Sequence, residues 1–246
     1  MNPVLVIPAR YASSRLPGKP LRELAGKPLI QHVHERAMAA DFATVLVATD
    51  DERIRRVCTG FGAQVVMTAS THETGSDRLA EVVQQQGWAD DTIVVNLQGD
   101  EPLTPVANLH QLARNLAQFP QTSIATLATP ILTEADFLNP NVVKVVRDVA
   151  GMALYFSRAP IPCQRDTGIP LQDYALRHIG MYAYRAGFLK AFAGMPLAQT
   201  EQLEKLEQLR ALANGYRIHV DIAAEIPGAG VDTEEDALRV AAILRD

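Results

Sequence analysis

Three cationic side chains stand close together near the start of the chain. Arg10, Arg15 and Lys19 share the stretch 8–19, Pro-Ala-Arg-Tyr-Ala-Ser-Ser-Arg-Leu-Pro-Gly-Lys, which follows a short apolar run. Three cations on one loop suit a polyanion such as a triphosphate. The stretch lacks both G-x-x-x-x-G-K-S/T and G-x-G-x-x-G, so it predicts neither a P-loop ATPase nor a dinucleotide dehydrogenase. The alternative interpretation is a basic surface loop that only keeps the chain soluble.

Two acidic residues lie far apart in the chain, each in a glycine-containing loop sequence. Asp100 belongs to Gln-Gly-Asp-Glu-Pro (98–102) and Asp232 to Gly-Ala-Gly-Val-Asp-Thr (228–233). Magnesium takes one or two protein carboxylates and leaves its other positions to water and phosphate. The pair therefore predicts a metal site beside the cationic stretch. Taken singly, Asp100 could belong to an ordinary turn, and Asp232 could cap the helix that follows it.

The segment 71–78, Thr-His-Glu-Thr-Gly-Ser-Asp-Arg, stands between a predicted strand and a predicted helix. Ser76 can serve as the N-cap, and the free N–H groups of a helix start favour an anion or the polar edge of a base. A plain capped helix start explains the same residues. We expect His72 to be exposed and uninvolved.

Arginines further along suggest a second, acidic substrate. Arg158 and Arg165 flank a proline-containing segment and would suit a carboxylate, although a solvated loop would carry the same residues. Glu207 and Gln208 have apolar neighbours, so either could turn inward from an otherwise salt-bridged helix face. His178 begins an apolar strand, where a histidine is more often a core residue than a ligand or base.

Apolar runs alternate with helix-type spacing in the first half of the chain. The runs at 4–7, 45–49, 64–67 and 92–97 read as buried strands, and the helical patterns lie at 29–40, 52–61, 77–86 and 106–116. Strands separated by such helices predict an α/β fold with a mostly parallel open sheet and flanking helices. These sheets bind ligands at the carboxyl ends of their strands, where the cationic stretch and Asp100 lie.

The rhythm changes after about residue 130. Strand-type runs at 142–146, 152–157 and 178–185 have little helix between them. We predict a mixed or antiparallel subdomain over 131–212, inserted into a nucleotide-binding core formed by 1–130 and 213–246. A single helix over 203–212, ended by Gly215, closes the subdomain. A strand at 216–222 and a helix at 233–244, begun by Thr233, complete the core.

The chain has 246 residues, 48% of them hydrophobic, and a formal net charge of -5. This length fits one α/β domain with an insertion or two small domains. An acidic balance gives no field for general nucleic-acid binding, and no apolar run approaches the roughly 20 residues of a membrane span. The first apolar run is too short for a signal peptide, and two distant cysteines, Cys58 and Cys163, suit a reducing compartment. We expect a soluble cytoplasmic protein.

Nine segments, taken in order from the first strand to the last helix, resemble one family. The cationic stretch extends over 7–20; the others are Val-Ala-Thr-Asp (47–50), Thr-Gly-Ser-Asp-Arg (74–78), Asn-Leu-Gln-Gly-Asp-Glu-Pro (96–102), Lys-Val-Val (144–146), Tyr-Phe-Ser-Arg (155–158), His-Ile-Gly-Met-Tyr (178–182), Leu-Glu-Gln-Leu-Arg (206–210) and Gly-Val-Asp-Thr (230–233). On these segments the chain resembles the 3-deoxy-manno-octulosonate cytidylyltransferases. The opening stretch alone would fit several sugar nucleotidyltransferases.

The resemblance implies a reaction. CTP and the eight-carbon acid sugar 3-deoxy-D-manno-octulosonate (Kdo) would give CMP-Kdo and pyrophosphate with Mg²⁺, and the product would supply Kdo for lipopolysaccharide. By similarity, the anomeric hydroxyl of Kdo attacks the α-phosphate of CTP in line, a step that depends on positioning and charge neutralisation. The resemblance also implies a homodimer formed through the region after the first sheet.

The resemblance assigns residues as well. It gives catalytic roles to Arg10, Arg15, Lys19, Asp100 and Asp232, and magnesium to Asp100 and Asp232. The nucleotide contacts that it implies are Ala9, Arg10, Ser14, Arg15, Lys19, Gly75, Ser76, Arg78 and Gln98. The sugar contacts that it implies are Arg158, Arg165, His178, Tyr182, Glu207 and Gln208. The family often has an aromatic residue where this chain has Cys163, a departure that bears on the shape of the sugar pocket.

Two other interpretations stay open. The CMP-sialic acid synthetases have a similar opening loop, although Arg-Leu-Pro-Gly-Lys (15–19) and Leu-Glu-Gln-Leu-Arg (206–210) favour Kdo. A catalytically silent nucleotide-binding protein on the same fold should have lost a cation or a metal carboxylate. Lys19, Asp100 and Asp232 are all present.

Overall fold

The structure is a computed structural model that describes residues 2–12, 15–72, 74–166 and 168–245. The first half forms β1 (Val4–Ala9), a 3-10 turn (Lys19–Leu21), β2 (Glu23–Leu24), β3 (Lys27–Pro28), α1 (Leu29–Ala39), β4 (Val45–Thr49), α2 (Glu52–Gly60), β5 (Gln64–Met67), α3 (Gly75–Gln85), β6 (Ile93–Asn96) and α4 (Val106–Gln118). The predicted strands and helices of this half are confirmed, with ends that differ by at most two residues.

The second half departs further from its prediction. It forms β7 (Ile124–Pro130), α5 (Glu134–Leu138), β8 (Lys144–Arg147), β9 (Ala153–Ser157), a second 3-10 turn (Leu171–Asp173), β10 (Leu176–Arg185), α6 (Ala186–Phe192), α7 (Gln199–Glu204), α8 (Gln208–Ala213), β11 (Ile218–Ile222) and α9 (Glu234–Ile243). The sequence analysis did not predict β7, α5 or α6. Within the described residues, every helix is too short or too polar to cross a membrane.

Within the described residues, one nine-stranded sheet forms the frame of the molecule. Its order is β11-β7-β10-β6-β1-β4-β5, and β8 and β9 extend it beside β10. The pairs β6–β1, β1–β4, β4–β5 and β7–β11 are parallel, whereas β10 runs antiparallel to β6, β7 and β8. The expected mostly parallel open sheet with flanking helices is confirmed. β10 belongs to the predicted subdomain 131–212, yet it lies in the middle of this sheet. The division into a core and an inserted subdomain stays a prediction.

Two apolar layers lie on opposite faces of the sheet, since side chains alternate along each strand. In β1, Leu5 and Ile7 pack in the layer with α1, α4 and α9, whereas Val4 and Val6 pack in the layer with α3, α6 and α8. All four side chains are buried, as a central parallel strand requires. This packing fixes the carboxyl ends of β1 and β6 side by side.

The predicted single helix over 203–212 is wrong. α7 ends at Glu204 and α8 begins at Gln208. Between them, Lys205 has φ 54° and ψ 46°, a left-handed conformation that a continuous helix cannot contain. A buried ion pair between Glu201 and Arg210, with an N···O distance of 2.7 Å, joins the two short helices. The break therefore changes the direction of the chain between α7 and α8, and the ion pair keeps the two helices in contact.

Candidate active site

β1 delivers the cationic stretch to the carboxyl edge of the sheet. Its last residue, Ala9, is buried. Further along the stretch, the Gly18 N–H donates to the Tyr11 carbonyl over 3.3 Å and so brings these two residues together. Gly18 has φ 70°, which favours glycine, and Lys19 follows as the first residue of the 3-10 turn. The Lys19 side chain is only 14% exposed. The stretch therefore presents its lysine inward, next to the end of β1.

Asp100 and Asp232 reach the same edge by different routes. After β6, a Cβ added at Gly99 would lie 2.7 Å from the Pro8 carbonyl oxygen, so only glycine lets the two segments pass. Asp232 comes from the loop before α9, where the Val231 N–H donates to the Asp100 carbonyl over 2.8 Å. This backbone hydrogen bond holds the two carboxylate-bearing loops together.

The interpretation of Asp232 as a helix cap is wrong. Thr233 is the N-cap of α9, and its hydroxyl accepts from the Asp236 N–H at 3.2 Å. The Asp236 carboxylate accepts in return from the Thr233 N–H at 2.9 Å and from the Asp232 N–H at 3.1 Å. The Asp232 carboxylate is therefore left to pair with the cations of the opening stretch.

Both carboxylates meet at one ammonium group. Lys19 Nζ lies 2.5 Å from Asp100 Oδ2 and 3.0 Å from Asp232 Oδ1, and Arg15 Nη2 lies 3.1 Å from the same Asp232 oxygen. Burial lowers the pKa of Lys19, but the charges and hydrogen bonds of Asp100 and Asp232 outweigh burial, so its pKa is raised overall. Lys19 stays protonated, and the predicted meeting of cations and remote carboxylates is observed.

These groups line a cavity of about 330 Å³ at the carboxyl edge of the sheet. Its wall contains most of the residues assigned to catalysis, nucleotide or metal: Ala9, Arg10, Arg15, Lys19, Gly75, Arg78, Gln98, Asp100 and Asp232. Ser76 is not among its lining residues, and Ser14 lies outside the described residues. Other members of the wall were not predicted from the sequence; they are Pro8, Ala12, Pro20, His72, Thr74 and Gly99.

The expectation that His72 is exposed is wrong, whereas its lack of involvement stays a prediction. Its side chain is half-buried, with Nε2 2.5 Å from Glu81 Oε2, and it lines the cavity. For the small and apolar residues of the wall, only proximity in sequence to the predicted residues could have indicated a role.

Thr74, rather than Ser76, caps α3. The Thr74 hydroxyl accepts from the Asp77 N–H at 3.2 Å, and the Asp77 carboxylate accepts from the Thr74 N–H. Ser76 is a buried residue of the first turn. Arg78, also buried, pairs with Asp50 at 3.2 Å and donates to the hydroxyl of Thr68. The start of α3 is thus a fixed part of the cavity wall.

Four of the residues assigned to the sugar gather in a second place. Tyr182, Glu207 and Gln208 line a second, smaller cavity of about 20 Å³ together with Ser76, and the His178 ring lies 5.3 Å from the Tyr182 ring. Glu207 Oε1 and Gln208 Nε2 are buried there, and neither has a hydrogen-bond partner among the described residues. Such atoms are costly and mark a place that a polar ligand could complete.

Burial is the main cause of the pKa shifts of Glu207 and His178 in this second place. Burial raises the pKa of Glu207, and a hydrogen bond from Thr74 opposes the shift. Burial lowers the pKa of His178 to about 3, so its ring is neutral at physiological pH. His178 Nε2 lies 2.9 Å from the Thr126 hydroxyl oxygen, which also donates to the Met181 carbonyl. The Thr126 hydroxyl therefore acts as acceptor toward the imidazole.

The two arginines assigned to the sugar lie outside this space. Arg158 Nε and Nη1 donate to the carbonyl oxygens of Glu204 and Pro140 at 2.6 and 3.0 Å. Arg165 is exposed, on the loop that also carries the exposed Cys163. Their contact with a sugar stays a prediction.

The donor set at the carboxyl edge suits magnesium. Among the described residues, no three or more His, Cys, Asp or Glu side chains form a metal-binding cluster. Asp100 and Asp232 nevertheless offer two carboxylate oxygens within 3.0 Å of a single cation, the Lys19 ammonium. Two carboxylates are what magnesium takes from protein when phosphate oxygens complete its coordination. The residues fit the predicted ion.

Comparisons with known proteins show which family the chain resembles. The family described as Cytidylyltransferase matches residues 4–220. A 3-deoxy-manno-octulosonate cytidylyltransferase of Thioalkalivibrio sulfidiphilus is 58% identical over 245 residues, which cover 98% of each chain. Another, of Pasteurella multocida, is 52% identical over 255 residues, which cover 99% of this chain and 98% of the relative.

Solved structures show the same likeness. CMP:2-keto-3-deoxy-manno-octonic acid synthetase complexed with CTP has a TM-score of 0.90 at 43% identity, covering 100% of this chain and 99% of that one. 4-Diphosphocytidyl-2C-methyl-D-erythritol synthase has a TM-score of 0.64 at 14% identity, covering 99% and 98% of the two chains. This second likeness shows the α/β fold alone.

Proposed function

The chain belongs to the cytidylyltransferase family, among its 3-deoxy-manno-octulosonate members, and we propose that it transfers CMP from CTP to the anomeric hydroxyl of Kdo. Pyrophosphate is the second product, and CMP-Kdo would supply Kdo for lipopolysaccharide. The observation that carries the proposal is the convergence of Lys19, Asp100 and Asp232 in one cavity.

The cavity suits CTP by its charge. Arg10, Arg15 and Lys19 all line it, and a triphosphate would compete with Asp100 and Asp232 for the last two. As Arg15 and Lys19 turn toward phosphate oxygens, they neutralise charge on the group that is transferred. The same movement frees the two carboxylates. We expect them to hold Mg²⁺, which when bound supplies further charge neutralisation at the phosphates.

The acceptor site suits a polyhydroxylated sugar. Glu207 Oε1 is an acceptor and Gln208 Nε2 a donor, both buried without partners among the described residues, and sugar hydroxyls can satisfy both. Because the space holds only about 20 Å³, it must widen before a sugar enters. Arg158 would first have to give up its carbonyl hydrogen bonds to meet the sugar carboxylate, whereas the Arg165 side chain is exposed.

Pyrophosphate release tests the proposed reaction. Purified protein is incubated with Mg²⁺, CTP and Kdo, and each component is omitted in turn. We expect release only when all three are present, and no release when UTP replaces CTP. Absence of release with every acid sugar tried would contradict the proposal.

CMP transfer to sialic acid is the alternative reaction, and a parallel assay separates the two. Equal concentrations of Kdo and N-acetylneuraminate are offered with CTP and Mg²⁺. We expect a higher kcat/KM for Kdo, because the relatives that are 58% and 52% identical are named 3-deoxy-manno-octulosonate cytidylyltransferases. A higher kcat/KM for N-acetylneuraminate would reverse the assignment.

We also propose that the protein is a homodimer. Of the twelve large apolar side chains that are exposed within the described residues, seven lie in 131–212: Leu132, Leu138, Val149, Leu154, Ile169, Leu197 and Leu203. An interface between two subunits would remove such apolar side chains from water. Light scattering on the purified protein should give twice the mass of one chain, and a monomer at micromolar concentration would contradict the dimer.

The cytoplasm is the compartment that we propose. Cys58 and Cys163 are both free thiols, which suits a reducing environment, and CTP is available there.

A further inference from the structure

Tyr11 touches two parts of the molecule that meet at the end of the cationic stretch. Arg53 Cζ lies 3.3 Å from the centroid of the Tyr11 ring, within the range of a cation–π contact. A Cβ added at Gly18 would lie 3.1 Å from Tyr11 Oη and 3.2 Å from its Cζ, so the ring packs against the Gly18 backbone. Gly18 directly precedes Lys19. Tyr11 therefore connects α2 to the residue next to the lysine that binds both aspartates.

Arg53 is itself held in place. Its Nε and Nη2 donate to the two oxygens of Asp51 at 3.0 and 2.6 Å. Asp51 also caps α2 by accepting from the Arg53 N–H at 2.8 Å. A bidentate pair of this kind fixes the plane of a guanidinium group. Asp51 follows Asp50, the partner of Arg78 in the cavity wall, so the same strand end supports both sides of the cavity.

We propose that Tyr11, Arg53 and Asp51 form a clamp that positions Gly18 and Lys19 for the triphosphate. The proposal rests on the proposed function, because it concerns the affinity of the cavity for CTP. A loop that must be ordered on binding lowers affinity by the conformational freedom that it loses, and a contact that orders the loop beforehand reduces this loss. Tyr11 and Arg53 are positioning residues, whose effect falls on the nucleotide and not on the sugar.

Calorimetric titration with CTP and Mg²⁺, without sugar, tests the clamp. We expect Arg53→Ala to raise the Kd of CTP roughly two- to fivefold, the range that an exposed cation–π contact can supply. The KM for Kdo and the melting temperature should stay at wild-type values. Arg56→Ala is the matched control, because Arg56 lies on the same helix and pairs with Glu52 at 3.2 Å. Its CTP affinity should equal that of the wild type.

Variants of Tyr11 separate a ring contact from general loosening of the fold. Tyr11→Phe keeps the ring and should retain CTP affinity, whereas Tyr11→Leu should weaken it at least as much as Arg53→Ala does. The double variant Tyr11→Leu with Arg53→Ala should bind no more weakly than Tyr11→Leu alone, because that variant already removes the contact with Arg53. Additive losses, or equal affinities of Arg53→Ala and Arg56→Ala, would overturn the clamp. A wild-type protein that binds no CTP would overturn the proposed function instead.

Discussion

Lys19 is the residue on which the site depends, because its ammonium occupies the carboxylate oxygens that a divalent cation would need. It lies within 3.0 Å of both Asp100 and Asp232. A metal ion bound to the same two oxygens would lie close to the ammonium group, and the two positive charges would repel each other. We therefore infer that nucleotide binding, by drawing Lys19 to the phosphates, prepares the aspartates for the metal.

Lys19→Met tests this competition directly. We expect the nucleotide-free variant to bind Mn²⁺, used as a probe for Mg²⁺, at least about tenfold more tightly than the wild type, since one adjacent positive charge is removed. CTP should bind the variant more weakly. Titration with Mn²⁺ alone measures the first effect. Arg22→Met, which removes a cation paired with Glu234 rather than with the site aspartates, is the control. Unchanged or weaker Mn²⁺ binding by Lys19→Met would contradict the competition.

His178 links acid stability to one buried ring. Burial lowers the pKa of His178 from an ordinary 6.5 to about 3. At a pH between these two values, the His178 ring is protonated in the unfolded chain and neutral in the folded protein. The free energy of unfolding should fall as pH drops below about 6.5, by up to about 1.4 kcal/mol per pH unit, until the folded pKa is reached. His178→Gln keeps a polar partner for Thr126 but does not titrate. Urea unfolding between about pH 6 and 4.5 should show a slope shallower by about 1 kcal/mol per unit; equal slopes would refute the assignment.

At the scale of secondary-structure elements, the break between α7 and α8 shapes the acceptor space, the small cavity lined by Ser76, Tyr182, Glu207 and Gln208. The left-handed Lys205 turns α8 so that Glu207 and Gln208 face Ser76 and Tyr182. A residue with a Cβ adopts this conformation at a cost of about 1 kcal/mol, which the surrounding contacts must offset.

Lys205→Gly should therefore stabilise the protein by about 0.5–1 kcal/mol, because glycine adopts positive φ without that cost. The Lys205 side chain is exposed, so little else is lost. Gln202→Gly, at an exposed position inside α7, is the matched control and should destabilise by about 1 kcal/mol. Urea midpoints measure both. A destabilised Lys205→Gly variant would show that the lysine side chain, and not its backbone, holds the break.

The elements also show how far the sequence could predict this structure. The strands and helices of the first half carry strong apolar patterns, and their predicted positions are confirmed. β7 was missed because Ile-Ala-Thr-Leu-Ala-Thr-Pro is rich in small residues, buried by its position between β10 and β11. The helix break was missed because leucines at 203, 206, 209 and 212 keep helical spacing across a left-handed residue that is neither glycine nor asparagine.

Within the candidate site, the sequence predicted the convergence but not its details. Parallel strands bring their carboxyl ends to one edge, so Lys19 and Asp100 could be placed together from topology alone. Which hydroxyl caps α3 depends on a shift of two residues, and Thr74 took the role predicted for Ser76. The hydrogen bonds that hold Arg158 come from carbonyl groups, which carry no sequence signal.

At the scale of the whole molecule, the sheet explains how the proposed nucleotide and sugar sites come to lie side by side. Lys19 meets partners 81 and 213 residues away because their loops leave the same sheet edge. β10 enters the sheet beside β6 and brings Tyr182 to the acceptor space. Gly75 lines the nucleotide cavity and the adjacent Ser76 lines the acceptor space. The first turn of α3 thus separates the two proposed substrates.

The most direct test of this convergence is the rate of pyrophosphate release by Asp100→Asn with CTP, Kdo and Mg²⁺. We expect turnover to fall by on the order of a hundredfold or more, because an amide keeps the shape of the carboxylate but not its charge toward a metal. Asp90→Asn, which changes an exposed carboxylate paired with Lys190, should keep the wild-type rate. An Asp100→Asn variant that turns over as fast as the wild type would contradict the assignment of Lys19, Asp100 and Asp232 as the catalytic centre.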